Sequence, residues 1–491
     1  MAASSQPNVL FVVLDTVRKD HLTPYGYDRE TTPNLADFAE EARVYEQATA
    51  PAPWTLPVHA SLFTGQYPSQ HGATQENPYL EGATTLAESL SAGGYDTCCY
   101  SSNAWITPYT HLTDGFDDQD NFFKVMPGDL LSGPLARVWK TMNDSDRLRS
   151  LADRVVELGN AVHERLAAGG GEDSKTPAVI DRTQSFIEDN PDPFFSFINL
   201  MDAHLPYHPP EEYVEQFAPG VDSNEVCQNS KAYNCGARDI DDAEWTDIRG
   251  LYDAEIRHID DQLGRLFDWL RAENLWEETM VVVCADHGEL HGEHDLYGHE
   301  FCIYDQLVNV PLLVKHPDLP AGRDDDIVEL HDLYHTVLDA TDTAPAGEPL
   351  DGQRSLLAED YRAFEDGDTA FVEYHRPVVE LNQLESIASS AGIDLDENSR
   401  FYSRMRAARR TDAKYIRNER IPDEVYRIED DPGEGTNLLG TDDPVVDELD
   451  AVLSAFEASV GGEWDDVDTE DPLSEMDDAT KDRLRDLGYV E

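Results

Sequence analysis

Two short apolar runs, far apart in the chain, each end abruptly in a carboxylate. One is Asn8-Val9-Leu10-Phe11-Val12-Val13-Leu14-Asp15; the other is Val281-Val282-Val283-Cys284-Ala285-Asp286, continuing as His287-Gly288-Glu289. Near-continuous apolar runs of this length read as strands buried on both faces of a parallel sheet, which present their functional groups at the carboxyl ends. Asp15, Asp286 and His287 are therefore expected to converge on one divalent metal, with Thr55 of Pro53-Trp54-Thr55-Leu56-Pro57 as the fourth group.

The rest of the chain supports a sheet covered by helices. Thr32-Pro33-Asn34 opens a helix to about residue 42, with Thr32 as N-cap and Pro33 in the first turn. Pro57 starts a short helix that Gly65 closes. Helices are expected over 85–92, 147–166 and 177–189, and strands over 95–101, 194–201, 280–285 and 310–314. Tyr252, Ile256, Ile259, Leu263, Leu266 and Leu270 recur at steps of four and three, which places one apolar stripe on a long helix. Strand–helix alternation of this kind specifies a parallel α/β sheet with both faces covered. Beyond a loop-rich joint at Pro345, Gly347, Pro349 and Gly352, short segments at 370–374, 402–408, 413–416 and 424–428 read as antiparallel strands, followed by a helix at 445–456. An acidic linker at 463–471 and a terminal helix at 479–487 end the chain.

Composition narrows the partners. The 491 residues carry 100 Asp and Glu against 36 Lys and Arg, a formal net charge of −64, with 40% hydrophobic residues. Self-repulsion on this scale destabilises a compact state at low ionic strength. Salt near 1 M, with a Debye length of about 3 Å, removes most of that penalty. The pattern is that of a halophile protein working in a high-salt cytosol. It argues against nucleic acid and anionic membrane as partners. No run is long enough for a membrane span, and Met1 to Pro7 does not read as a signal peptide, so a cytoplasmic protein is expected. The six cysteines form no regular framework; Cys227 and Cys235 flank a loop and are expected to be free thiols in a reducing compartment.

Two carboxylates and an imidazole suit Zn²⁺, Mn²⁺ or Mg²⁺ better than an all-oxygen Ca²⁺ cage. The segment after Asp286 is rich in glycine and histidine, with Glu289, His291, Glu293, His294 and His299. Thr55 sits where a helix begins, so backbone N–H groups and the helix dipole favour an anion beside it. Its hydroxyl is a weak nucleophile unless a bound cation lowers its pKa; otherwise it is simply an N-cap. His204 follows the 194–201 strand and is a candidate at the same sheet edge. His208 reads rather as a loop residue.

Taken as a set, these pieces resemble the sulfatase family of the alkaline phosphatase superfamily. The matching segments are 8–15 with Arg18, 52–65 with Tyr67-Pro68 and His71-Gly72, 101–103, 115–117, 194–209, 252–260, 286–289 and 304–311. In the last part of the chain they are 414–416, 424–428, Asp431-Pro432, 436–438 and Leu487-Gly488-Tyr489. The resemblance implies an alkaline-phosphatase-like sandwich with a central mostly parallel sheet at 7–345. It also implies a smaller C-terminal α+β subdomain with an antiparallel sheet at 365–460, and leaves 461–491 as acidic linker and terminal helix. The implied chemistry is hydrolysis of an anionic sulfate or phosphate ester with a metal-held nucleophile.

The departures from the family pattern are specific. Sulfatases carry Cys-x-Pro-x-Arg or Ser-x-Pro-x-Arg, whose first residue becomes formylglycine. Here the segment is Thr55-Leu56-Pro57-Val58-His59, and threonine cannot be converted to that aldehyde. His59 replaces the arginine, Thr16 the second aspartate, His287 the asparagine after Asp286, and His299 a lysine. The metal set Asp15, Thr55, Asp286 and His287 is similar to that of phosphoryl-transfer branches of the superfamily. The resemblance thus implies Thr55 as nucleophile and one divalent metal (Mn, Zn, Mg or Ca) with no formylglycine. It assigns His204 and His299 to the leaving oxygen, acting as an acid or through a second metal. Asn103 and Arg18 are candidates for orienting substrate. Three readings stay open: hydrolysis or transfer of phosphate mono- or diesters, hydrolysis of a sulfate ester, and a non-catalytic glycan- or polyanion-binding relative.

Overall fold

The computed structural model describes residues 6–122, 174–190, 193–344, 350–364 and 366–461. The expected helix at 147–166, the acidic linker, the terminal helix and the 487–489 segment lie outside the described residues. In chain order the first eight strands are β1 (Asn8–Leu14), β2 (Arg43–Thr49), β3 (Asp96–Ser101), β4 (Asp118–Asn121), β5 (Phe194–Leu200), β6 (Thr279–Ala285), β7 (Leu290–His291) and β8 (Tyr297–Gly298). They are followed by β9 (Leu312–Lys315), β10 (Gly322–Glu329), β11 (Ala370–Tyr374), β12 (Met405–Arg409), β13 (Lys414–Asn418) and β14 (Glu424–Tyr426).

The large sheet runs β10-β2-β9-β6-β1-β5-β3-β4. All its pairs are parallel except those of β9, which is antiparallel to both β6 and β2. Every residue of β1, β5 and β6 is buried, as their predominantly apolar sequences require. Register then does the positioning. Leu14 lies opposite Ala285 on one side and Leu200 on the other, so Asp15 and Asp286 leave the sheet side by side.

Helices Pro33–Ala39, Thr176–Asp189 and Asp242–Ala272 pack together as one layer, and Thr55–Thr64, Leu86–Ala92 and Asp332–Ala340 as the other. The long helix begins where the Asp241 carboxylate accepts from the Ala243 and Glu244 amides, and it buries the predicted stripe from Tyr252 to Leu270. The β11–β14 sheet is wholly antiparallel, and helix Pro444–Ser459 packs on its β12 and β13 strands. There Phe371 and Phe456 stack with ring centroids 4.2 Å apart. Lys414 of β13, fully buried, ties the small sheet to the short helix Asp305–Val308 through Asp305 at 3.0 Å, and also meets Glu434 at 2.9 Å.

Several expectations need correcting. The helix expected from Pro57 starts at Thr55, with Trp54 as the extended residue before it. Thr32 makes no side-chain cap; its hydroxyl instead accepts the Thr23 amide. β2, β4, β10 and the helices Asp332–Ala340 and Val378–Ala391 were not anticipated. All six cysteines are free and buried. Among the described residues no helix is long and apolar enough to cross a membrane.

Candidate active site

Asp15, Asp286 and His287 meet at the carboxyl edge of the large sheet, fully buried, with one ligand atom from each within 4.8 Å of the others. The backbone holds this geometry. Thr16 turns the chain with a positive φ of 58°. The Thr16 amide at 3.2 Å and the His287 amide at 2.9 Å both donate to Asp286 Oδ1. Gly288 is needed for a close approach, since a Cβ there would lie 2.0 Å from the Gln306 carbonyl oxygen.

The donor set fits a divalent cation. Asp15 Oδ1 and Asp286 Oδ2 are buried and have no hydrogen-bond partner among the described residues. The other oxygen of Asp15 is taken: Asn103 Nδ2 donates to Oδ2 at 2.8 Å and Asn199 Nδ2 at 3.1 Å. His287 Nδ1 donates to the Gly288 carbonyl at 3.0 Å, which leaves Nε2 with a free lone pair beside Asp286 Oδ2, 3.5 Å away. Burial and the Asp15 charge push the Asp286 carboxyl well above the ordinary carboxylate range. Burial, with His299 adding repulsion, pushes His287 well below the ordinary imidazole value. A carboxylate pair short of positive charge and a neutral imidazole are what a cation requires. Glu329, His331 and Asp332 also cluster. There, however, Arg362 lies 2.6 Å from Glu329 and Arg354 lies 2.7 Å from Asp332, so the charge is already matched.

Thr55 is the first residue of the fully buried helix Thr55–Thr64 and is itself 4% exposed. Its hydroxyl is 3.5 Å from His287 Nε2 and 3.3 Å from Asn103 Nδ2. Asn103 is oriented by the Trp105 amide, which donates to its Oδ1 at 2.8 Å, so Nδ2 must face Asp15 and Thr55. Asn199 is oriented likewise by Ser101, whose hydroxyl donates to Oδ1 at 3.0 Å.

The other expected residues divide. His59 lies beneath the helix start; its Nδ1 donates to the Thr55 carbonyl at 2.9 Å, and burial lowers its pKa to about 4, so it braces the Thr55 backbone as a neutral ring. His204 and His299 come together with ring centroids 5.2 Å apart, and His299 is 4.5 Å from His287. Burial alone would lower His299, but Glu289, 3.2 Å from Nδ1, and Glu300 raise it to about 9. Arg18 is buried and turned away from this edge. It binds Asp20 and Glu293 at 2.7 Å each, and the Glu289 carbonyl at 3.1 Å, so it braces the 289–293 loop rather than facing substrate. His291 bonds Tyr207 and His294 stacks on Tyr304, both apart from the metal group.

Thr55, Asn103, His204 and His299 line a cavity of about 830 Å³. Sequence reasoning missed Asn199, a polar residue inside an apolar strand, which was a usable signal. It also missed Lys231, Glu300 and Glu380 on the cavity wall.

The sulfatase family model matches residues 7–343, and the chain belongs to the sulfatase family. It is 26% identical over 453 residues to the uncharacterized sulfatase YidJ of Escherichia coli (strain K12), covering 88% of this chain and 83% of that protein. It is 23% identical over 491 residues to choline-sulfatase of Rhizobium meliloti (strain 1021), covering 94% of this chain and 88% of that one. Among solved structures, the phosphonate monoester hydrolase of Agrobacterium radiobacter aligns with a TM-score of 0.66 at 20% identity, covering 92% of this chain and 96% of that one. The fold is shared with these structures, and the chain is a sulfatase-family hydrolase.

Proposed function

We propose that this chain hydrolyses phosphate mono- or diesters, with capacity for phosphoryl transfer, using Thr55 as nucleophile and a divalent ion held by Asp15, Asp286 and His287. The observation that carries the reading is the Thr55 hydroxyl, at a helix start, beside His287 Nε2 and within reach of Asn103, where formylglycine chemistry would need cysteine or serine. When bound, the divalent ion supplies the positive charge that lowers the pKa of the hydroxyl and stabilises charge on the ester oxygens. The Thr55 hydroxyl gives its proton to solvent water in the cavity, and Asn103 Nδ2 stabilises the oxygen that remains. Attack forms the Thr55 oxygen–phosphorus bond as the bond to the leaving oxygen breaks. His299, held protonated by Glu289, and His204 stand on the cavity wall to give the leaving oxygen its proton. Water or an acceptor alcohol, giving its proton to the His299 ring that has just lost one, then displaces the Thr55 oxygen from phosphorus.

A sulfate ester is the second reading, favoured by the family match and the named sulfatases among the relatives. Assays in molar KCl with Mn²⁺ or Zn²⁺ on nitrophenyl phosphate, bis-nitrophenyl phosphate and nitrophenyl sulfate separate the two. Phosphate turnover well above sulfate turnover is expected, and the reverse order overturns the first reading. The acidic composition supports a high-salt cytosol as the working environment and no nucleic-acid partner.

A further inference from the structure

The cavity wall beyond the histidines is short of positive charge. Three carboxylates line it, Glu289, Glu300 and Glu380, against Lys231 and His299. Glu289 meets His299 through Oε1 at 3.2 Å, its Oε2 having no hydrogen-bond partner among the described residues, and Lys231 pairs with Glu300 Oε1. Glu380 takes only neutral donors, the Gln75 side-chain amide and its own backbone amide, among the described residues, and shares the field of Lys231 with Glu300. Glu300 is 5% exposed, and its Oε2 has no hydrogen-bond partner among the described residues. That oxygen is pressed close to the chain, since a Cβ on Gly298 would lie 2.7 Å from it. A buried acceptor without a donor costs free energy that a ligand N–H would recover. Trp54 and Trp105, edge to face with centroids 5.7 Å apart, add aromatic surface to the same cavity.

We propose that Glu300 and Glu380 form a subsite for a protonated primary amine on the alcohol portion of the substrate, so that the ester hydrolysed is that of an amino alcohol or amino sugar. An unpartnered acceptor oxygen selects a primary ammonium, which has N–H groups to donate, over a quaternary one. This rests on the ester-hydrolase reading above, and it adds a specificity that the metal-binding residues do not supply.

The test has two arms at fixed ionic strength. Phosphate release is followed from O-phosphoethanolamine and from propyl phosphate, in which a methyl group replaces the ammonium, using wild type, Glu380→Gln and Glu300→Gln. The ratio of the two kcat/KM values is compared between proteins, so that intrinsic leaving-group reactivity cancels. The wild-type ratio is expected to exceed that of either variant by about tenfold, the scale of one charge-assisted hydrogen bond. Separately, binding of free ethanolamine to the metal-loaded protein is measured by calorimetry, with thermal melts confirming that each variant is folded. Wild type is expected to bind at least about tenfold more tightly than the variants. Ethanolamine binding without turnover of either ester supports the subsite and overturns the phosphate-ester reading. Equal ratios in all three proteins, or no ethanolamine binding to wild type, overturns the subsite.

Discussion

Replacing Asp286 by asparagine separates the metal from the fold, and the two effects have opposite signs. Asp286 Oδ1 accepts the Thr16 and His287 amides, and an asparagine oxygen keeps both bonds. The asparagine NH₂ then stands where Oδ2 was, and the repulsion between two buried carboxylates whose ligand atoms lie within 4.8 Å of each other is removed. The metal-free variant should therefore melt no lower than the metal-free wild type. Metal is another matter. At a thousand times its dissociation constant, a cation stabilises the native state by about 4 kcal/mol. Unfolding entropy scaled to 491 residues is about 1 kcal/mol per kelvin, so the wild-type Tm should rise by about 4 °C with Mn²⁺ or Zn²⁺. The variant should gain less than about 1 °C, because two ligands remain of three. pH adds a check. Burial and Asp15 raise the Asp286 carboxyl in the fold. A folded pKa above the unfolded value of about 3.9 means stability is present below that value and is lost as pH rises. In chelator, the gap by which the variant outmelts wild type should widen from about pH 4 toward neutrality. Differential scanning fluorimetry in molar KCl, with chelator or metal, measures all three quantities. A variant that keeps the full metal shift, or a metal-free variant several degrees less stable than wild type, would refute the reasoning.

Other perturbations follow from the same coordinates. Thr55→Ala should lower kcat by roughly 10³ or more, while Thr55→Ser, which keeps a hydroxyl, should stay within about tenfold; an active alanine variant in the ester assays removes Thr55 as nucleophile. Lys414→Met leaves Glu434 buried without a cation while Asp305 keeps Arg409 at 2.8 Å, which costs about 3 kcal/mol and lowers Tm by about 3 °C; an unchanged melt contradicts this role at the joint. With a net charge of −64, Tm should climb by roughly 10 °C between 0.1 M and molar KCl, and a melt flat in salt would remove the halophile reading.

What could be read in the sequence was what burial enforces. β1, β5 and β6 are mostly apolar because both faces are covered, and a carboxylate ending such a run has little reason to be there except to project from the sheet edge. The metal group and the long helix were legible on that ground. The strands that were missed are at or beside the sheet's rims. β4 reads Asp-Gln-Asp-Asn, half-buried throughout, and the exposed first part of β10 carries three consecutive aspartates. Edge strands need no apolar alternation, and in so acidic a chain they read as loop. Arg18 looked available because its partner Glu293 lies far along the chain. Its ion pair with Asp20 is local, but the pair with Glu293 exists only once β1 and the 289–293 loop are folded side by side. Lys231 and Glu380 had no local pattern at all; only the fold brings them to one wall.

Acid-quenching the metal-loaded enzyme during turnover of a phosphate ester, then mapping the modified peptide by mass spectrometry, is the most direct test of the reaction. A phosphoryl group on the hydroxyl of Thr55 is the predicted result. Steady turnover with the 53–65 peptide unmodified under rapid quench, or with the label on another side chain, would contradict it.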